Sequence, residues 1–469
     1  MDDFQILTDF GNLYNSFRVS MRGKGKKIGA LKFCVLALEN IIIMIRKLKR
    51  RTYRISPYSE FIVSEPKKRI VKSGSFRDKV LQHCLCDYVL LPKLKDIFIR
   101  DNYAGQIGKG TLFGLNRLSE QLLSFYNEHG TNGYILKCDI SKFFYSIDHD
   151  LMKKAIGKYF KDDGIQYVCD LLIDSGDKIG LPLGNQSSQV FAILYLNGLD
   201  HYITEELGCK YYGRYMDDFF LISDNKECLK DCLDKITAFL SRLKLKLNSK
   251  TEIIPISKGI RFLGFHTYLT DDGKVIRKIT GDCKRQEKKR LRRNAALVKC
   301  GELTREKFDE SYKSWRSHAY HGNCFKLVYE MDKFVDSLFG EEKKELRVIV
   351  AGSRTFNNYD LLKNALSDFV KHHSSERITI ISGGAAGTDQ LGERYARENK
   401  ILFKVFPAQW NIHGKRAGYL RNLQMMNYAI EAGNGYLIAF WDGKSKGTKH
   451  MIDNAKRNGM TVNVISFEN

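Results

Sequence analysis

The spacing of apolar positions changes several times along this chain, and each change marks an element. Over residues 1–130, apolar residues recur at three- and four-residue intervals, interrupted by basic stretches, and predict helices. "GYILKCDI" (133–140) is rich in β-prone residues and predicts a buried strand. Helical spacing returns from about residue 149 and again over "SQVFAILYLNGLDHYITEEL" (188–207). A strand pair is predicted around Asp217–Asp218, a helix over roughly 225–243, and a short strand pair around "RFLGF" (261–265). From 283 to 338 the pattern is helical and basic. Its character changes near residue 346. "LRVIVAGSR" (346–354), "RITIISGGAAGTD" (377–389) and "GYLIAFWDGKSKGT" (435–448) are buried-strand runs that end in glycines, with helical segments between them. That alternation predicts a Rossmann-like, doubly wound parallel α/β domain, with the charged stretch "FGEEKKE" (339–345) as its boundary.

Asp217 and Asp218 disturb this pattern. They lie side by side in "YYGRYMDDFFLI" (211–222), where an unpaired buried carboxylate would cost several kcal/mol. A hairpin turn would tolerate them, and so would a cation. Asp139 adds a third carboxylate in similar apolar company, at the end of the strand-like run in "LKCDISKFFYSID" (136–148). A helix cap would explain Asp139 alone. Three such groups would instead suit two Mg²⁺ ions held about 3.5–4 Å apart, which activate a hydroxyl nucleophile and stabilise a leaving pyrophosphate.

Composition narrows the partners. At 469 residues the chain exceeds one ordinary core, and with 43% hydrophobic and 28% charged residues it is a folded protein. A net charge of +23 calls for a polyanion, either nucleic acid or an acidic membrane face. The charge is spread along the chain and clusters at "RGKGKK" (22–27), "RKLKRRTYR" (46–54) and "KRQEKKRLRR" (284–293), where Tyr53 would suit a phosphate track with a stacking surface. All 11 cysteines precede residue 325, without CxxC pairs or zinc spacing, as suits a reducing cytosol. The close pairs Cys84/Cys86 and Cys228/Cys232 are expected to be buried small hydrophobes. The N-terminus lacks the signal-peptide pattern, and "FCVLALENIIIMI" (33–45) contains Glu39 and is too short to span a bilayer. A cytoplasmic protein without a membrane partner is expected.

The motifs around the aspartates occur in an order that resembles the reverse transcriptases over roughly residues 50–340. "KCDISKFF" looks like the first palm motif, "GLPLGNQSSQ" (180–189) the second and "YMDD" (215–218) the third. "LKLNSKTEI" (245–253) and "RFLGF" are similar to the fourth motif and the primer grip. "SEPKKRIVKSGSFRDKVLQH" (64–83) looks like the fingers, and "NYAGQIGKGT" (102–111) fits the bacterial branch. The resemblance implies a right-hand polymerase, α+β in class, with fingers and palm over 1–275 and a helical basic thumb over 276–340. It implies an RNA-directed DNA polymerase that uses two Mg²⁺ ions, an RNA template, a DNA or RNA primer and dNTPs. Metal positions would be Asp139, Ile140, Asp217 and Asp218, with Lys250 as general acid to the pyrophosphate. Lys68 and Arg69 would grip the triphosphate, Phe144 would exclude a 2′-hydroxyl, and Gly184 and Gln189 would shape the floor under the nascent pair. Phe262, Leu263 and Gly264 would form the primer grip. The second motif departs from many reverse transcriptases: it ends in Ser188–Gln189 rather than Ser-Pro, and Leu183 stands where Gln is common. That form is similar to diversity-generating retroelements, whose copying is relaxed. Retron-type "NAxxH" and "VTG" motifs and an HNH-type endonuclease are not seen.

Over 346–469, "AGSR" (351–354), "SGGAAGTD" (382–389), "PAQWNIHGKRAGYLRN" (407–422) and "FWDGKSKGTKHM" (440–451) resemble the SLOG superfamily. Such glycine turns aim backbone N–H groups at phosphate. The resemblance implies a nucleotide-derived ligand contacted by Gly352, Ser353, Arg354, Gly383, Gly384, Gly387, Thr388, Asp389, Arg416, Arg421, Gly447 and Thr448, with Lys415 a further phosphate contact. Members that cleave glycosidic bonds carry "GGxGTxxE"; here Asp389 directly follows Gly387–Thr388 and Glu393 lies further on, so sensing is expected over hydrolysis. A sensor fused to a polymerase suggests antiphage defence, with a noncoding RNA as template and a possible homo-oligomer. The alternatives are a diversity-generating retroelement enzyme and a non-catalytic RNA-binding scaffold.

Overall fold

A computed structural model describes residues 2–63, 69–341, 343–433 and 435–467. Lys68 and the side chain of Arg69 fall outside the described residues. The chain divides into two compact units, Met1–Thr280 and Gly281–Asn469.

In the first unit, amphipathic helices Phe10–Met21, Ala37–Lys49 and Phe76–Cys84 precede the palm sheet and flank an antiparallel hairpin, β1 (Ser59–Val63) with β2 (Arg69–Ser73). The palm sheet contains β3 (Tyr134–Asp139), β4 (Tyr211–Tyr215), β5 (Asp218–Ser223) and β6 (Glu252–Pro255), in the antiparallel order β4-β5-β3-β6. Successive residues alternate between two cores. Leu136, Cys138, Phe219 and Leu221 join one, while Ile135, Phe220 and Ile222 join the other with Leu118, Leu122 and Phe125. A sheet covered on both faces needs continuous apolar strands, which is why these runs lack polar alternation. A second small sheet, β7 (Ile260–Phe262), β8 (Phe265–Leu269) and β9 (Val275–Ile279), adjoins it.

Three expectations are corrected here. The single helix read over 188–207 is Gln186–Tyr195 and Asn197–His201 followed by a π-turn at Tyr202–Glu206. Tyr53 offers no stacking surface: it is 1% exposed, and its hydroxyl donates to Asp78 Oδ1 at 2.7 Å beneath the Arg77 guanidinium. Cys228 is exposed, unlike Cys84, Cys86 and Cys232.

The second unit begins with helices Gly281–Lys299, Arg305–Ala319 and Phe325–Phe339. A five-stranded sheet follows: β10 (Glu345–Gly352), β11 (Arg377–Ser382), β12 (Leu402–Val405), β13 (Gly435–Trp441) and β14 (Thr461–Ser466). All neighbours are parallel, in the order β12-β11-β10-β13-β14. Val348 and Val350 face one helical layer, around Leu362, Leu366 and Tyr395; Ile349 and Ala351 face the other, around Met425, Ala429 and Met451. The helices after β10 and β13 leave in opposite directions, so the switch point of the sheet lies between these strands. The helical segment joins this unit through an Arg377–Asp336 ion pair and an edge-on Phe325–Phe403 contact at 6.2 Å. Among the described residues no single helix is long and apolar enough to cross a membrane.

Candidate functional site

The hairpin of β4 and β5 closes at Tyr215↔Asp218, leaving Met216 and Asp217 in the turn, with Met216 at φ +56°. β5 pairs with β3 so that Asp218 stands opposite Asp139. The Ile140 N–H donates to the Asp217 carbonyl at 3.1 Å. Sheet register therefore delivers all three aspartates, half-buried, to one end of the palm. Asp218 Oδ1 is buried and lacks a hydrogen-bond partner, and Lys137 Nζ lies 3.8 Å away. Burial drives the Asp218 carboxyl up to about 7; Lys137 opposes the shift, while Asp139 and Asp217 add to it. Asp139 Oδ2 accepts a hydrogen bond from Asn248 Nδ2 at 3.1 Å. Among the described residues, no three His, Cys, Asp or Glu side chains are gathered as a metal-ligand set as they stand. The donor chemistry nevertheless fits a hard divalent cation: these side chains offer carboxylate oxygens, and Asp218 Oδ1 is buried without a hydrogen bond, with Asp139 and Asp217 opposed by Lys137.

The other residues expected to serve the site have distinct placements. Phe144 is half-buried in the short helix Phe143–Ser146, edge-on to Phe143 at 5.6 Å. Gly184 has φ +114°, and a Cβ there would lie 2.9 Å from the Lys72 carbonyl of β2. That loop is fixed to the hairpin by Lys72 N–H donating to the Leu183 carbonyl at 3.0 Å. Gln189 is exposed on its helix, and Lys250 is exposed two residues after Asn248. Phe262 is buried against Phe220 at 5.3 Å, and Leu263 and Gly264 (φ +50° and +86°) form the turn into β8. Lys137, Asn248 and the buried Arg214 were not anticipated. Asn248 carries no sequence signal of its own, and Lys137 only its charge inside the apolar strand β3. Arg214 carried one, a cation inside an apolar strand two residues before the turn.

The second unit has a cavity of about 250 Å³ at the C-terminal ends of β10 and β13, lined by Gly352, Arg354, Asp389, Arg421, Gly447 and Thr448. Lys415, Trp410, Tyr419 and Asn422 are also in its walls, and Arg416 does not reach it. Gly352 allows close packing: a Cβ would lie 2.3 Å from both the Phe440 carbonyl and Thr388 Oγ1. Gly387 (φ +79°) lies against the Arg354 carbonyl, and Ser353 is buried beneath Thr388, whose hydroxyl donates to the Ser353 carbonyl at 3.3 Å. Gly383 and Gly384 form the turn after β11. The Arg421 guanidinium donates to the Gly383 carbonyl at 2.5 Å and lies 3.4 Å from Asp389 Oδ2. Burial pushes the Asp389 carboxyl up to about 6, against the pull of Arg421 and the Ala385 N–H. Burial also lowers the Arg421 value. Glu393 is tied to Ser382 Oγ at 2.8 Å and Arg397 at 2.9 Å.

The family described as reverse transcriptase (RNA-dependent DNA polymerase) matches residues 67–267, and the YspA, cpYpsA-related SLOG family matches residues 346–413. Gene 61 protein of Mycobacterium phage D29 is 36% identical over 121 residues, covering 25% of this chain and 93% of that protein. Among solved structures, telomerase from Candida albicans in complex with a TWJ fragment of telomeric RNA aligns with TM-score 0.43 at 12% identity, over 87% of this chain and 65% of that one. Apo telomerase from Candida tropicalis truncated from its C-terminal domain aligns with TM-score 0.37 at 16% identity, over 49% and 58%. The chain thus spans less than two thirds of the length of either telomerase.

Proposed function

Because this chain carries a reverse transcriptase domain, an RNA-directed DNA polymerase, followed by a SLOG-family domain, we propose that it copies a noncoding RNA into DNA at Asp139, Asp217 and Asp218 and binds a nucleotide-derived ligand beside Asp389 and Arg421, in antiphage defence. The observation that carries the first part is the buried Asp218 Oδ1, unpartnered by hydrogen bonds, beside Asp139 and Asp217. Asp139, Asp217 and Asp218 would hold Mg²⁺, which when bound supplies charge neutralisation for nucleotidyl transfer. The chain's own residues position the reactants. The Phe144 ring excludes a 2′-hydroxyl from the sugar site, and gripping the triphosphate is assigned to Arg69 from its motif alone. Gly184 and Gln189 shape the floor under the nascent pair, Phe262, Leu263 and Gly264 hold the primer end, and Lys250 protonates the departing pyrophosphate. The basic helix Gly281–Lys299 tracks the RNA–DNA duplex as the thumb.

In the second unit, the pairing of Glu393 with Ser382 and Arg397 favours ligand sensing over glycosidic hydrolysis, because it leaves that acid committed within the protein. Arg354, Lys415 and Arg421 around the cavity suit phosphate, and Trp410 and Tyr419 suit a base. The "GNQSSQ" motif supports a second reading, diversification of a template repeat. Sequencing the nucleic acid that copurifies with the full-length chain separates the two. A structured noncoding RNA with its cDNA is expected. A variable-repeat template would replace defence with diversification, and the absence of any RNA-derived cDNA would overturn both.

A further inference from the structure

β4 carries a full charge in its most buried stretch. Arg214 and its partner Asp200, on the short helix Asn197–His201, are both 0% exposed. Arg214 Nε donates to Asp200 Oδ1 at 2.6 Å and Nη2 donates to Oδ2, a two-pronged pair. Asp200 is further satisfied by the Tyr212 hydroxyl at 2.6 Å and Asn102 Nδ2 at 3.2 Å. The remaining arm of the guanidinium points the other way: Nη1 donates to the Met216 carbonyl at 3.0 Å. The backbone of Arg214 is engaged as well, its N–H donating to Asp101 O at 2.9 Å and its carbonyl accepting from Tyr103 N at 2.8 Å.

A buried ion pair is a poor source of stability, because desolvation of both charges offsets most of their attraction. The Met216 contact supplies another reason for this one. Met216 is a non-glycine residue in left-handed backbone, an unfavourable conformation that persists only where the surroundings enforce it. From outside, Gly105 (φ +61°) brings the chain close: a Cβ there would lie 2.5 Å from Ile193 Cδ1 and 3.9 Å from Met216 Cε. From inside, the guanidinium holds the carbonyl. The next two residues are Asp217 and Asp218.

We propose that Arg214 is a positioning residue of the polymerase site: anchored on Asp200, it holds the Met216 carbonyl and so fixes the turn that presents Asp217 and Asp218. This rests on the reading of those two aspartates as the cation-holding groups. Asp200 lies on the helix next after Gln186–Tyr195, which bears Gln189, and Arg214 Nη2 also donates to the Ile193 carbonyl of that helix at 3.5 Å, so the same residue registers it against the turn. The geometry requires arginine. Three donors in a rigid fork span Asp200 and Met216 at once, whereas a lysine ammonium is a single point that satisfies one or the other.

The test uses full-length variants. Arg214→Ala alone would strand a buried carboxylate and confound the readout with unfolding. The pair Asp200→Asn with Arg214→Met removes both charges together and keeps an acceptor for Tyr212. Readouts are the unfolding midpoint, kcat and KM for dTTP on poly(rA)·oligo(dT), and Mn²⁺ binding followed by electron paramagnetic resonance. The paired variant is expected to stay folded, to lose kcat by about 10–100-fold with KM unchanged, and to bind Mn²⁺ about tenfold more weakly. Arg214→Lys, which keeps the charge beside Asp200, is expected to fall between the paired variant and wild type. Wild-type kcat and Mn²⁺ affinity in the folded paired variant overturn the proposal, as does an activity loss that only tracks the unfolded fraction. Should the paired variant unfold, the same readings on Arg214→Lys decide, and wild-type values there overturn it. Asp217→Ala, run alongside, separates the two levels: if it still incorporates dTTP, the cation-site reading has failed instead.

Discussion

Asp389 gives the second unit a pH dependence that one substitution should remove. Its carboxyl is 4% exposed and sits at about 6 against an ordinary 3.8, because burial outweighs Arg421. Each unit of difference corresponds to about 1.4 kcal/mol, so two units make the ionised form cost about 3 kcal/mol in the folded state. The sign follows from proton uptake. Between the two values the folded state binds more protons than the unfolded state, so stability is greatest below 3.8 and is lost as pH rises through about 6. Asp389→Asn cannot ionise there. Removing the partner of Arg421 adds an offset, but that offset does not vary over this range. All three tryptophans, Trp315, Trp410 and Trp441, lie in Gly281–Asn469, so fluorescence-detected urea unfolding of the full chain reports this unit. From about pH 4 to pH 7 the variant should gain on wild type by about 2 kcal/mol, most of the full difference. Parallel stability curves would refute the reasoning.

Three further variants bear on other parts of the account. Phe144→Val should open the sugar site and reduce the preference for dNTPs over rNTPs roughly tenfold or more, read as the ratio of kcat/KM values. Lys289→Ala combined with Arg292→Ala, both on the exposed face of the basic helix, should weaken duplex binding uniformly across sequences. The same pair should reduce the slope of log K against log salt by about one for each phosphate left without its cation. Gly352→Ala places a Cβ 2.3 Å from the Phe440 carbonyl and should destabilise the second unit, by about 3 kcal/mol in the same fluorescence assay.

Much of this was legible because single residues broke a local rule. Asp139, Asp217 and Asp218 are charges in apolar runs; the register of β3 and β5 sets Asp139 opposite Asp218, and Asp217 lies in the adjoining turn. The strand-then-glycine runs at 346, 377 and 435 emerged as β10, β11 and β13. The short strands were less readable. β12 spans four residues at one edge of its sheet and β14 six at the other, and spacing within a strand does not say which strand it pairs with, so the strand order and its switch point could not be read from the sequence. Tyr53 misled because its basic neighbours suggested an exposed track, whereas a long-range hydrogen bond to Asp78 draws it inside. Arg214 lay in plain view in "YYGRYMDD", but its meaning depends on Asp200, fourteen residues earlier on a different element.

The central claim is that Asp217 and its two companions are the working carboxylates of an RNA-directed DNA polymerase. Purified full-length chain with its copurifying RNA, Mg²⁺ and labelled dNTPs should incorporate label into DNA, and Asp217→Ala, equally folded and equally loaded with RNA, should show none. Incorporation at the wild-type rate by that variant would contradict the account.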